Sequence, residues 1–136
     1  MGSGERALRT ATITGVGVVG ATALIHLWDP NQAGSYGFCP LRAGTGLLCP
    51  MCGGLRSVHA LTHGEWSTAW ALNPALVAVL PVAVVVWMLW VWRAKQGRTD
   101  TYLERMDVFV PLVTVFVLFG VARNVPAFEP YLAAVT

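Results

Sequence analysis

Long apolar runs separated by short polar stretches organise this chain. Ala11 to Trp28, Pro74 to Trp92 and Val108 to Ala122 carry no Asp, Glu, Lys or Arg. A hydrocarbon core of about 30 Å needs roughly 20 mostly apolar residues per helix. The third run is the shortest, and Met106 and Pro126 mark how far it can extend. The boundaries carry local signals. Asn73 can cap a helix that starts at Pro74, where a missing N–H costs nothing. Trp87, Trp90 and Trp92 crowd the far end of that run, as an aromatic belt at a membrane interface would. Pro81 and Pro111 fall inside spans, where neighbouring helices can satisfy the freed carbonyls. The pattern predicts an all-α integral membrane protein with spans at about 11–28, 74–92 and 107–124. It also predicts an N-terminal tail at 1–10 and a loop at 29–73.

Within that loop, Leu55 to His63 reads as a short helix, ended by Gly64. Ser67 can cap a further turn towards Asn73. Cys52, Arg56, His59 and His63 follow one another by four, three and four, which places them on one stripe. Leu55, Val58 and Thr62 lie opposite, and Trp66 and Trp70 prolong the polar stripe as interfacial anchors. Too short and too polar to span, this helix is expected to be re-entrant or interfacial. Gly15-Val16-Gly17-Val18-Val19-Gly20 matches a dinucleotide-binding pattern, but it lies inside an apolar helix rather than after a strand. Gly17 and Ala21 read instead as a small-residue pair that lets another helix approach.

Composition sharpens this picture. Of 136 residues, 55% are hydrophobic and 12% charged, and the mean hydropathy is +0.58. Soluble domains carry about 25% charged residues, so a nucleic-acid binder, a disordered chain and an ordinary cytosolic enzyme are excluded. The net charge of +2 is too small to call for a polyanionic partner. Arg6, Arg9, Arg93, Lys95, Arg98 and Arg105 lie on one side, and Arg42, Arg56 and Arg123 on the other. The positive-inside rule then places the N-terminus in the cytoplasm of a bacterial cell and the cysteine loop outside its inner membrane. A cleaved signal peptide ending near Ala21-Thr22-Ala23 is the competing reading, against which the apolar run continues to Trp28.

All the unusual chemistry lies in the loop. Cys39, Cys49 and Cys52 are its three cysteines, and Cys49-Pro50-Met51-Cys52 is a CxxC. Three readings stay open. A disulfide from Cys39 to Cys49 or Cys52 would staple the loop, worth about 3 kcal/mol in the chain-entropy model. Cys49 and Cys52 could exchange disulfides, with Cys52 activated by a helix N-terminus and Arg56. Cys49, Cys52, His59 and His63 could bind zinc, although their spacing is shorter than that of a zinc finger. Arg56 and Arg123 are costly in lipid, so each snorkels or finds a partner among Asp29, Glu65 and Glu129. They form either a structural network or an anion and headgroup site. His26, one turn before the end of the first span, reads as interfacial.

Cys39-Pro40, Thr45-Gly46, Cys49-Pro50-Met51-Cys52-Gly53-Gly54-Leu55-Arg56, His59-Ala60-Leu61-Thr62-His63-Gly64-Glu65 and Asn73-Pro74 together resemble the bacterial membrane-protein family DUF2752. Its pattern reads CP…TG…CPxCGxTR…HALxHGD…NP. Leu55 stands where the family has Thr, and Glu65 where it has Asp. Arg123-Asn124 and the later spans are similar as well. The resemblance implies the fold and leaves the activity open. No nucleophile–base pair, phosphate loop or intramembrane acidic pair is present, so the sequence leans away from an enzyme. The leading expectation is an accessory or assembly subunit, in contact with lipid and with another membrane protein or a second copy. The alternative is a thiol-redox or metal-binding membrane protein.

Overall fold

The computed structural model describes residues 3–30, 39–97 and 106–128. Among them every regular element is helical: α1 (Ser3–Leu27), α2 (Pro40–Thr45), α3 (Gly54–Thr62), α4 (Trp66–Leu72), α5 (Pro74–Lys95) and α6 (Met106–Arg123), followed by a 3-10 turn at Pro126–Phe128. Two helices, α1 and α5, are long and apolar enough to cross a membrane, and α6 is a shorter apolar helix. Almost none of the apolar stretch of α1 or α5 is buried inside the molecule. Side chains such as Val16, Val19, Leu24, Val82 and Met88 are at least half exposed. Apolar surface of that extent needs an apolar surrounding. In such surroundings hydroxyls must find partners within the helix. Thr10, Thr12 and Thr114 do so by donating to the carbonyls of Arg6, Leu8 and Val110, at 2.8–3.0 Å.

Helix α1 starts earlier than the 1–10 tail allows. Residues from Ser3 onward are already helical, with Glu5 in the first turn where the helix dipole favours a carboxylate. The loop holds, besides the predicted helix and the further turn towards Asn73, a short helix at Pro40–Thr45. Cys39 precedes α2, whose first residue is Pro40, a position where proline is pre-set for a helix. Helix α4 begins at Trp66 after Glu65, so Ser67 lies inside its first turn and does not cap it. Asn73 behaves as expected: its Oδ1 accepts from the Leu76 N–H at 3.0 Å, with Pro74 at the start of α5.

Helices α1 and α5 run antiparallel. Gly4 meets Gly97 and Ala94 at one end, and Trp87 donates from Nε1 to the Ala11 carbonyl at 3.1 Å further along. The basic residues Arg6, Arg9, Arg93 and Lys95 therefore share one end, while Arg98 and Arg105 lie outside the described residues. Trp87 is not only a belt residue, because its indole leans on the backbone of α1. The close approach occurs at Gly15, not at Gly17, which has open space around it. A Cβ on Gly15 would sit 2.5 Å from Trp87 Cζ2. Gly15→Val is thus expected to displace the indole and destabilise the protein by about 1–3 kcal/mol, the usual range for overpacking. Thermal unfolding in detergent measures it, and combining it with Trp87→Leu should cost less than the sum of the two.

At the opposite end, α3 and α4 fold onto each other. Gly64, at φ 78°, closes α3: the Glu65 N–H bonds to the Ala60 carbonyl and the Gly64 N–H to that of Leu61. This pair of bonds satisfies the last carbonyls in a Schellman turn, which needs a left-handed residue and so favours glycine. The buried face of α3 is Gly54, Ser57 and Ala60, whereas Leu55 is exposed. Small residues win that face because α4 packs close; Ser57 Oγ donates to the Ala69 carbonyl at 2.9 Å.

Candidate functional site: a thiol cluster and a histidine column

The thiol cluster begins with a turn. The Cys52 N–H bonds to the Cys49 carbonyl at 3.0 Å, and Pro50, with φ already set, occupies the second position. Gly53 follows at φ 79° and turns the chain into α3. Met51 donates its N–H to Cys49 Sγ at 3.4 Å. Cys39, arriving just before α2, places its Sγ 3.8 Å from that of Cys52. The sulfurs of Cys39, Cys49 and Cys52 all lie within 4.8 Å of one another, and each residue is half-buried.

Several backbone groups of this segment are held from outside it. Asn124 grips Leu48 at both ends: its Oδ1 accepts from the Leu48 N–H at 2.8 Å and its Nδ2 donates to the Leu48 carbonyl at 2.9 Å. The same Nδ2 also donates to Gly120 of α6 at 2.7 Å. Pro50 lies flat against Gly120, where an added Cβ would be 3.2 Å from the ring. Asn73 donates to the carbonyls of Pro50 at 3.0 Å and Cys52 at 3.4 Å. Arg123, only 2% exposed, donates to the Cys52 carbonyl at 2.8 Å and reaches that of Cys49 at 3.5 Å. Its guanidinium also lies over the Phe119 ring, 5.2 Å from the centroid. A buried backbone carbonyl must be paired, and here α5 and α6 supply the donors.

Electrostatics corrects one expectation. Burial pushes the Cys52 thiol up from its ordinary value, a backbone hydrogen bond at Cys49 opposes this, and the adjacent Cys39 and Cys49 add to the rise. A start-of-helix position was expected to lower it. Cys52 precedes Gly53 and so lies outside the first turn of α3, where the dipole is felt. Arg56 is exposed, and the buried Arg123 donates to carbonyls of the turn. Arg56 and Arg123 therefore sit in different surroundings, one at the surface and one in the packing beneath the thiols. Glu129 lies outside the described residues, as do the side chain of Arg42 and any contact it makes.

Cys49, Cys52, His59 and His63, expected together, fall into two groups. The thiols gather with Cys39, while His59 of α3 and His63 just after it gather with His26 of α1. His63 stacks on His26 at 4.3 Å between centroids and 19° between planes, and meets His59 at 4.3 Å and 37°. His59 Nδ1 bonds to the Ile25 carbonyl at 2.7 Å, and its Nε2 is 3.7 Å from Asp29 Oδ1. The separation has a simple cause. The Gly53 turn lies between Cys52 and the first residue of α3, so the thiols do not continue the helical stripe. Sequence spacing missed Asn124, Gly120 and the part played by His26. A polar Asn immediately after an apolar helix was the available signal for the first.

No curated protein and no solved structure matches the chain. Residues 39–87, which hold the three thiols, His59, His63 and the Asn73 cap, match the model of the family described as a protein of unknown function, DUF2752.

Proposed function

We propose that the protein is a multi-pass membrane protein that holds a soft metal ion, zinc or an ion of similar chemistry, on Cys39, Cys49 and Cys52. One observation carries this reading: three thiols from two separate chain segments lie within 4.8 Å of one another. Zinc–sulfur bonds of about 2.3 Å at tetrahedral angles put neighbouring sulfurs about 3.8 Å apart, and the Cys39–Cys52 separation is 3.8 Å. The Met51 N–H directed at Cys49 Sγ is the type of outer-shell bond that steadies a ligating sulfur. Three thiolates and a divalent ion leave one negative charge, and the Arg123 guanidinium lies against the same turn. The chain has three cysteines and three histidines, and the histidines are gathered elsewhere. Among the described residues no fourth Cys, His, Asp or Glu joins the three thiols, which leaves a position open for ligand exchange.

In the proposed arrangement α1, α5 and α6 all cross the inner membrane of a bacterial cell. The basic end faces the cytoplasm and the thiol cluster faces outward. A reversible Cys39–Cys52 disulfide is the second reading, favoured by that same short separation. The expectation of an accessory subunit ranks below both, because the thiol cluster is a positive feature while no described residue singles out a partner.

Metal analysis of the protein purified in mild detergent separates the readings. We expect about one equivalent of zinc or copper, lost in Cys49→Ser and in Cys52→Ser. A metal-free protein whose Cys39 and Cys52 resist alkylation until reduced would establish the disulfide instead. Metal content unchanged in the serine variants would overturn the site.

A further inference from the structure

The three thiols are not mounted alike. Cys49 and Cys52 share one turn, and α5 and α6 grip its backbone. Asn73 donates to the Pro50 carbonyl at 3.0 Å and Arg123 to that of Cys52 at 2.8 Å, both from buried side chains. Cys39 comes from another stretch of chain and leads into α2, which is shaped by bonds of its own. The Ala43 N–H bonds to the Cys39 carbonyl at 3.0 Å, and Thr45 Oγ1 donates to the Leu41 carbonyl at 2.6 Å. The Leu47 N–H in turn bonds to Thr45 Oγ1 at 3.2 Å. Leu41, Ala43, Thr45 and Leu47 are all exposed. A surface segment thus carries Cys39, while the packed end of the helices fixes Cys49 and Cys52.

The sulfurs differ as well. Cys49 Sγ accepts from the Met51 N–H at 3.4 Å, whereas the sulfurs of Cys39 and Cys52 meet at 3.8 Å. A disulfide has its sulfurs about 2.05 Å apart, so an approach of about 1.8 Å closes the bond. Rotation about χ1 of Cys39 with a small shift of α2 supplies it. The thiolate is the form that ligates a metal. A Cys39–Cys52 disulfide therefore removes two of the three ligands and leaves Cys49 alone. In an outward, oxidising compartment that bond competes with the ion for the same sulfurs.

Resting on the metal reading above, we propose that redox state gates this site: the three thiolates hold the ion, and a Cys39–Cys52 disulfide releases it. The oxidant is a low-molecular-weight disulfide, R–S–S–R, acting by thiol–disulfide exchange. The Cys39 thiolate, on the surface segment, attacks one of its sulfurs; the S–S bond breaks and one RS− leaves. The Cys52 thiolate then attacks Cys39 Sγ, the bond to R–S breaks, and a second RS− leaves. Two electrons pass from the cysteine pair to the small disulfide. The divalent ion departs, and Cys49 keeps its thiolate.

Full-length protein in mild detergent, reduced with a phosphine, freed of reductant and loaded with Zn2+, is titrated with oxidised glutathione. A chromogenic indicator reads the zinc, and peptide mass mapping reads the disulfide. One Zn2+ should leave for each Cys39–Cys52 disulfide formed, and reduction should restore uptake. Excess Zn2+ should raise the oxidant concentration required, because ion and disulfide exclude each other. Cys49→Ser should form the same disulfide as readily as the metal-free parent. Zn2+ retained throughout the titration, or released with a Cys49–Cys52 bond formed instead, would overturn the gate and leave the metal reading standing. A reduced protein that takes up no Zn2+ would overturn both.

Discussion

Arg123→Met is expected to destabilise the protein by about 2–4 kcal/mol and to abolish metal retention by the thiol cluster. The magnitude follows from what the guanidinium does. It is 2% exposed and donates to the Cys52 carbonyl at 2.8 Å, with the Cys49 carbonyl at 3.5 Å. Hydrogen bonds from a charged donor contribute about 1.5–3 kcal/mol each, and an acceptor stranded in a buried place costs about 1–3 kcal/mol. Each of these carbonyls keeps one other donor, Asn73 for Cys52 and the turn N–H for Cys49, so the loss stays below the sum. Methionine keeps much of the side-chain volume, which leaves the missing donor as the main difference. Arg123→Lys tests the geometry separately. A single ammonium preserves the charge but not the planar fork that can serve two carbonyls from one position. It should therefore recover part of the stability and less of the metal. Circular dichroism melts in detergent give the first quantity and metal analysis the second. An Arg123→Met protein that melts like the parent and keeps its metal would show that α6 does not hold the turn.

Much of the fold was legible because its signals are local. Asn73-Pro74 marks the start of α5 by chemistry confined to a few adjacent residues, and the bond to Leu76 is there. Gly64 closes α3 for the same reason. The uncharged runs of α1 and α5 announce helices long enough to cross a membrane. The site was legible in its ingredients and not in its arrangement. Periodicity alone extends a stripe from Cys52 to His63, but a helix begins only where its backbone permits. Gly53 at φ 79° puts a corner after Cys52. Cys39 joins Cys52 across thirteen residues, a pairing that no local pattern encodes. The grouping of His26 with His63 depends on how α1 lies against α3, elements far apart in the chain. A count of charges directs attention to carboxylates as partners for Arg123. Its bonds to the Cys49 and Cys52 carbonyls answer a demand for donors that is invisible in such a count.

Asn73→Asp should be more damaging than the usual ranking of helix caps allows, costing about 2–4 kcal/mol, and at least as much as Asn73→Ala. Aspartate caps helices as well as asparagine does. On that ground alone the substitution would be neutral, since its carboxylate could still accept from the Leu76 N–H. Asn73, however, works in both directions. It is fully buried, and while Oδ1 caps α5, Nδ2 donates to the carbonyls of Pro50 at 3.0 Å and Cys52 at 3.4 Å. Aspartate removes that donor and turns a carboxylate oxygen towards two carbonyl oxygens in a fully buried place. Burying an ionised or unsatisfied polar group is among the few changes that cost several kcal/mol. Alanine loses the cap, about 1 kcal/mol, and leaves the carbonyls with fewer donors, but it adds no repulsion. The order of melting temperatures should thus be the parent, then Asn73→Ala, then Asn73→Asp at neutral pH. Protonating the new carboxylate at low pH restores a donor, so the aspartate variant should recover relative to alanine as the pH falls. If Asn73→Asp melts with the parent, Asn73 is only a helix cap and the turn that carries Cys49 and Cys52 is held by α6 alone.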